Sequence, residues 1–323
     1  MHNRQVQANS RPYSTILPAE LLYEIVHHSD METLIVLLHD KVFRSMAEKE
    51  LEKAFKDLLG RFAAEPEGIR SMMKRTGSVI TGSAALWYLL RRPCGWEPSD
   101  LDIVTPHDMF QEVIQSILEM HPEAQVKDLS ASSNDAHYPI EAYEGRMVIE
   151  TGKGRMDILQ SREDCPFYPI AHYWSTHLMN ALTSEAVVCG YPALTLQRKG
   201  VAVEGGIPGP VDRIQKYTER GIEVYKGCKG VLGGNRSCRE FEACGKLDRF
   251  FGDEHTMVIP TRGGTIMESA NAFKQEELTG WRLGGEGCSN EECFLESNRV
   301  IAIAAWDFPG SDDEGEEGSE GTE

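Results

Sequence analysis

Asp100-Leu101-Asp102-Ile103-Val104 is the stretch on which the reading of this chain turns. Residues two apart on a strand face the same side. Asp100 and Asp102 therefore project together, while Leu101 and Ile103 point into a core. Two carboxylates side by side repel unless a cation lies between them, and hard oxygen ligands suit Mg²⁺ or Mn²⁺. Acidic pairs at this spacing recur at Glu48/Glu50, Glu65/Glu67 and Glu314/Glu316, but in helical or tail contexts. A carboxylate pair inside an apolar strand is costly without a reason.

Two further elements flank it. Thr81-Gly82-Ser83-Ala84 follows the short strand pattern Gly77-Ser78-Val79-Ile80-Thr81 and opens a helix over 84–92. Glycine there lets backbone approach a ligand, and free N–H groups at a helix start favour phosphate. Equally, Gly82 can serve only a tight turn and Ser83 only cap the helix. Met156-Asp157-Ile158-Leu159 again sets a carboxylate in an apolar strand, in a hairpin of 147–150 with 155–159 around Gly152-Lys153-Gly154. Asp157 can complete a metal site, or simply pair with Arg155 or Lys153.

Residues 68–200 alternate short apolar runs with amphipathic ones, including a strand at 101–104 and a helix at 107–120. This is the pattern of an α/β (α+β) domain, a mixed sheet flanked by helices. Beyond 200 the chain is rich in glycine, with short strands expected at 256–259 and 300–304.

The order strand, Gly-Ser turn, helix, Asp-x-Asp strand and a later lone Asp resembles the nucleotidyltransferase superfamily of DNA polymerase beta type, over about 80 residues from Val79 to Leu159. The resemblance implies that Gly82 and Ser83 hold a nucleoside triphosphate and that Asp100, Asp102 and Asp157 hold Mg²⁺ or Mn²⁺ as the catalytic acids. Ser99 ahead of the pair resembles members that transfer nucleotides to RNA ends or small acceptors. One departure is the long interval from Ser83 to Asp100, with Pro93-Cys94-Gly95-Trp96-Glu97-Pro98 inserted near the expected site mouth. Met179-Asn180, the run from Cys189 to Thr195 and that from Lys216 to Gly221 resemble a family of fungal proteins, which extends the likeness to about residue 225 and brings no substrate with it. Read from the residues alone, Tyr191, Leu194 and Leu196 are core strand positions, and 217–220 lies on a helix stopped by Gly221.

Before this domain, residues 15–66 read as helical: Leu21, Leu22, Ile25 and Val26 at helical spacing after Pro18, a second helix capped at Ser29-Asp30, and a third over 43–62. Leu17-Pro18-Ala19-Glu20-Leu21-Leu22 with the Leu34-x-x-Leu37 that follows resembles an F-box, which implies docking of 17–47 onto a ubiquitin-ligase adaptor; alternatively the helices pack on the α/β domain. The division expected is a polar leader (1–14), this F-box-like segment (15–66), a nucleotidyltransferase-like domain (68–225), a glycine-rich extension packed on it (226–310) and an acidic tail (311–323).

The tail has seven acidic residues and no basic or apolar ones, a composition that stays disordered; the rest keeps about −11 of the net −18. An acidic chain is a poor partner for DNA or RNA bound without specificity. No apolar run approaches a membrane span, and no apolar signal core opens the chain. Eight scattered cysteines suit a reducing, intracellular setting, cytoplasmic or nuclear. Cys228, Cys238, Cys244 and His255, or Cys288 with Cys293, lack the tight spacing of a zinc site, and His27, His28, His172 and His177 have no distinguishing context. The expected function is metal-dependent transfer of a nucleoside monophosphate to a hydroxyl acceptor. The alternatives are a non-catalytic adaptor or a degenerate nucleotide-binding domain.

Overall fold

The computed structural model describes residues 17–91, 95–128, 142–203, 211–225, 227, 231, 242–244, 247–262, 279–283 and 301–302. The leader, the acidic tail and Cys228, Cys238, Cys288 and Cys293 lie outside the described residues.

The central strands are buried on both faces, and alternate side chains divide the interior into two cores, one on each face of an eight-stranded mixed sheet. The strands are β1 (Val79–Thr81), β2 (Asp100–Thr105), β3 (Gln125–Asp128), β4 (Tyr143–Glu150), β5 (Arg155–Ser161), β6 (Asn180–Leu182), β7 (Ala186–Cys189) and an unlabelled Met257–Pro260 strand. Their order is Met257–Pro260, β7, β6, β1, β2, β5, β4, β3; β2 and β5 run parallel and the other neighbours antiparallel. A mixed sheet flanked by helices is the class the sequence pattern indicates, and the glycine-rich extension contributes its edge strand.

Ile80, Leu101, Ile103, Met156 and Ile158 point to one face, where they meet Phe55 and Leu58 of α3 (Arg44–Leu59), Ile69 and Met72 of α4 (Pro66–Thr76), and Val113 and Ile117 of the helix Phe110–Met120. The helices α1 (Ala19–His28) and α2 (Met31–His39) belong to this core through Val26, Leu34 and Leu38. Asp30 caps α2, accepting from the Thr33 N–H at 2.8 Å. Buried Glu50 pairs with Arg91 at 2.8 Å and His27 at 3.2 Å, and Tyr88 Oη donates to the Leu51 carbonyl at 3.0 Å. Burial raises the Glu50 carboxyl, but Arg91 and His27 together hold it below its ordinary value. The N-terminal helices thus share one core with the sheet. No helix among the described residues is long and apolar enough to cross a membrane.

Val79, Val104 and Leu159 point the other way, into a core closed by Phe167, Ile170, Tyr191, Val201, Tyr217 and Trp281. Tyr191 and Leu194 are buried as expected, but Leu194 lies on a helical turn, Pro192–Thr195, that Tyr191 precedes, and Leu196 just beyond it is only half-buried; none of the three is on a strand. Pro192 explains the difference: its ring sets a helical φ and removes a ladder donor. Also absent from the sequence reading is α4, although Ile69, Met72 and Met73 carry its apolar face.

This second core holds a buried cation. Arg249 lies 4.5 Å over Tyr191 and 5.7 Å from Trp281, donates to Gly190 O at 2.5 Å and to Glu242 O at 2.9 Å, and pairs with Asp253. Glu242 is 7% exposed, and burial pushes its carboxyl up to about 7 from 4.5 despite Arg249. A raised folded pKa means the unfolded chain ionises first. The contribution is intact below pH 4.5 and lost as pH rises to about 7, on the order of 3 kcal/mol. Glu242→Gln should therefore unfold at higher urea than the wild type at pH 8, and the difference should shrink towards pH 5. A difference independent of pH contradicts this.

Candidate functional site

The parallel pairing of β2 and β5 sets Asp100 beside Arg155 and Asp102 beside Asp157, and β1 places Thr81 opposite Asp102 on its other side. Register neighbours share a face, so both acids of the Asp-x-Asp stretch stand with Asp157 on the face of the second core. Asp102 is 8% exposed, Asp157 is buried and Asp100 is partly exposed. One carboxylate oxygen from each lies within 4.8 Å of the others. The structure therefore brings together the three acids singled out in the sequence.

It brings the Gly-Ser turn to them as well. Gly82, directly after Thr81, begins the helix α5 (Gly82–Leu89) with φ +64°. A Cβ there would overlap Asp102 Oδ2 and sit 3.1 Å from its Cγ. The bare backbone at Gly82 is what lets the carboxylate and the helix start share one place. Ser83 is 4% exposed and its Oγ has no hydrogen-bond partner among the described residues. A buried hydroxyl without a partner costs free energy that a ligand oxygen would recover. The cluster of Asp100, Asp102 and Asp157 could hold a hard divalent cation, with the Ser83 hydroxyl and the helix start beside it.

Asp157 is engaged differently. Arg155 donates from Nε to Oδ1 at 2.6 Å and from Nη2 to Oδ2 at 2.8 Å, and Arg146 donates from Nη2 to Oδ2 at 2.5 Å. The Arg155 partner was open in the sequence. Arg146 was not, because its reach to Asp157 depends on the β4–β5 register, which sets it opposite Leu159.

The remaining residues of the site come from far along the chain. On the helix Val211–Glu219 and the residue just beyond it, Arg213, Lys216, Tyr217 and Arg220 recur at helical spacing. Burial, and the charges of Asp102 and Asp100, keep the Tyr217 hydroxyl protonated against the opposing pull of Arg220. Lost hydration and Arg220 lower the Lys216 ammonium, while Asp100 and Asp102 pull it up. This basic face therefore lies within the field of the acidic pair. Arg220 stacks 4.4 Å over Trp96, so the inserted loop ahead of Asp100 delivers an aromatic ring to it. Arg220 Nη1 is buried without a hydrogen-bond partner among the described residues. Sequence reading identified this helix, but nothing local says what it faces.

His177, which had no context in the sequence, is fully buried, bonded through Nδ1 to Ser175 Oγ at 2.8 Å and set edge-on 4.6 Å from Tyr217. Burial and Arg220 push it down to about 3, so it is a neutral imidazole. Its carbonyl accepts from Asn180 Nδ2 at 2.7 Å, and the Asn180 carbonyl accepts from Thr81 Oγ1 at 2.8 Å, a chain that steadies the residue before Gly82. A second acidic group, His107, Asp108 and Asp164, is solvent-facing; His107 already contacts Asp108 at 2.8 Å and Glu144 at 2.9 Å.

Comparison with protein-family models finds no match, and comparison with curated proteins finds no relative. Among solved structures, a tRNA-processing enzyme in an apo form is similar at 18% identity over 36% of this chain and 27% of its own, with a TM-score of 0.26. The matched region thus spans about a quarter of that enzyme, and a likeness this slight carries no argument about fold or activity.

Proposed function

We propose that the protein is a metal-dependent nucleotidyltransferase of the polymerase beta type, moving a nucleoside monophosphate from a triphosphate to a hydroxyl acceptor. The observation that carries this reading is the Gly82 turn closing on Asp102, with Asp100 and Asp157 alongside. Asp100 and Asp102 hold Mg²⁺ or Mn²⁺, and Asp157 is the third acid. Bound there, the cation supplies charge stabilisation to the transferring phosphate. Gly82 and Ser83 receive the triphosphate through backbone N–H and the free hydroxyl. Lys216 and Arg220 offset its negative charge from the facing helix. An acceptor hydroxyl gives up its proton to solvent and its oxygen bonds to the α-phosphorus as the bond to pyrophosphate breaks. Incubating the protein with each α-labelled triphosphate, Mg²⁺ or Mn²⁺, and a mixture of RNA, protein and small hydroxyl acceptors should move label to one acceptor, with equimolar pyrophosphate released. No label transfer and no pyrophosphate with any triphosphate leaves a degenerate binding domain instead.

A second reading, the ubiquitin-ligase adaptor, is favoured by one observation: Leu21 and Ile25 are 51% and 46% exposed on α1, and Val36 on α2 is 67% exposed. Leu22 faces inward at 3% exposed, so charge there would disturb the core. Leu21→Asp with Ile25→Asp is the clean test. It should abolish capture of a purified ligase adaptor if that reading holds and leave nucleotide transfer unchanged.

A further inference from the structure

The family resemblance assigns all three acids to metal, and the geometry around Asp157 points elsewhere. Resting on the function proposed above, we infer that the site takes a single divalent cation, between Asp100 and Asp102, and that Asp157 is a positioning residue for two arginines. Arg155 then supplies the positive charge that a second cation would bring.

Asp157 is 1% exposed, and its two oxygens accept three charge-assisted N–H bonds, at 2.5, 2.6 and 2.8 Å. An ionised carboxylate offers about four acceptor directions, so three are taken. Arg155 grips it as a fork, the strongest geometry for this pair, and Arg146 adds a second guanidinium. About one direction is left for a cation, and an ion bound there would lie against both guanidiniums. Asp100 is engaged far less. It and Asp102 stand on one strand face, and Asp100 accepts only a long 3.3 Å bond from Ser99 among its described hydrogen bonds. The cation therefore belongs to the β2 pair.

The two arginines differ in what they can reach. The Arg146 side chain is 13% exposed, whereas that of Arg155 is 41% exposed. Arg155 also stands beside Asp100 in the register of β2 and β5. Asp157 thus holds a partly open guanidinium at the rim of the aspartate pair, where the phosphate charge of the substrate must come. A guanidinium in that place binds phosphate oxygens directionally and stays charged at every pH at which the protein is folded.

Mn²⁺ binding to the full chain, measured by calorimetry and by the loss of the free-ion resonance signal, separates the two arrangements. The expected result is one ion per chain. Asp102→Asn should weaken binding at least tenfold, and Asp157→Asn should change it less than threefold. Arg155→Met should leave Mn²⁺ affinity equal or tighter while weakening Mn²⁺-dependent triphosphate binding at least tenfold, and Arg155→Lys should restore part of that loss. Two ions per chain, or equal losses in Asp102→Asn and Asp157→Asn, overturns the inference while leaving the proposed function standing. A wild type that binds no Mn²⁺ defeats the proposed function first and this inference with it. Should Asp157→Asn not fold, Arg155→Met decides, because weaker Mn²⁺ binding in that variant is the contrary result.

Discussion

Gly82→Ala is expected to destabilise the protein by roughly 3 kcal/mol or more, against about 1–2 kcal/mol for Gly77→Ala. Both glycines have left-handed backbones, at φ +64° and +70°, so both substitutions incur the conformational penalty. They differ in what the new methyl group meets. At Gly77 the nearest atom is Pro106 Cγ at 3.7 Å, an ordinary contact. At Gly82 it is the Asp102 carboxylate, on a buried side chain with little room to turn. Either the α5 start or the carboxylate must move, and both belong to the proposed site. Urea unfolding of the two variants side by side checks this; equal losses would show that Asp102 yields freely and that the turn is not built around it.

Asp102→Asn should lower nucleotide transfer about a thousandfold or more, equivalent to roughly 4 kcal/mol of transition-state stabilisation, with the unfolding midpoint preserved. The amide keeps the shape but removes one of the two charges that hold the cation. Asp102 faces another carboxylate on its own strand and a third on its parallel neighbour, so its loss relieves repulsion as well as removing contacts. Measured kcat with the variant confirmed folded by circular dichroism decides it. A loss that appears only as a raised KM, with kcat unchanged, would mean that Asp102 contributes binding alone.

Much of this arrangement was legible because its governing period is short. Strand alternation placed Asp100 and Asp102 together, and a glycine between an apolar run and a helix marked the turn at Gly82. The mixed sheet followed from alternating apolar and amphipathic runs, and the hairpin from Gly152 and Gly154. What escaped depends on contacts far apart in sequence. The charges of α4, Arg70, Lys74 and Arg75, obscured its apolar face. Arg146 reaches Asp157 only through strand register, and Lys216 and Arg220 reach the site only because a helix that begins fifty positions after the end of β5 packs on the second core. His177 acquires its character from burial, which no local pattern announces. Tyr191 and Leu194 were legible as core and misread as strand, since burial constrains residue type more tightly than backbone conformation.

The proposed cation-dependent nucleotide site is formed by the Gly82 turn and the aspartates of β2. Equilibrium binding of each labelled triphosphate to the full chain, with and without Mn²⁺, tests it independently of any acceptor. At least one triphosphate should bind in the presence of Mn²⁺, release when the metal is chelated, and fail to bind to Asp102→Asn. Binding that is absent for every triphosphate, or equal without Mn²⁺ and in the Asp102→Asn variant, would contradict the account.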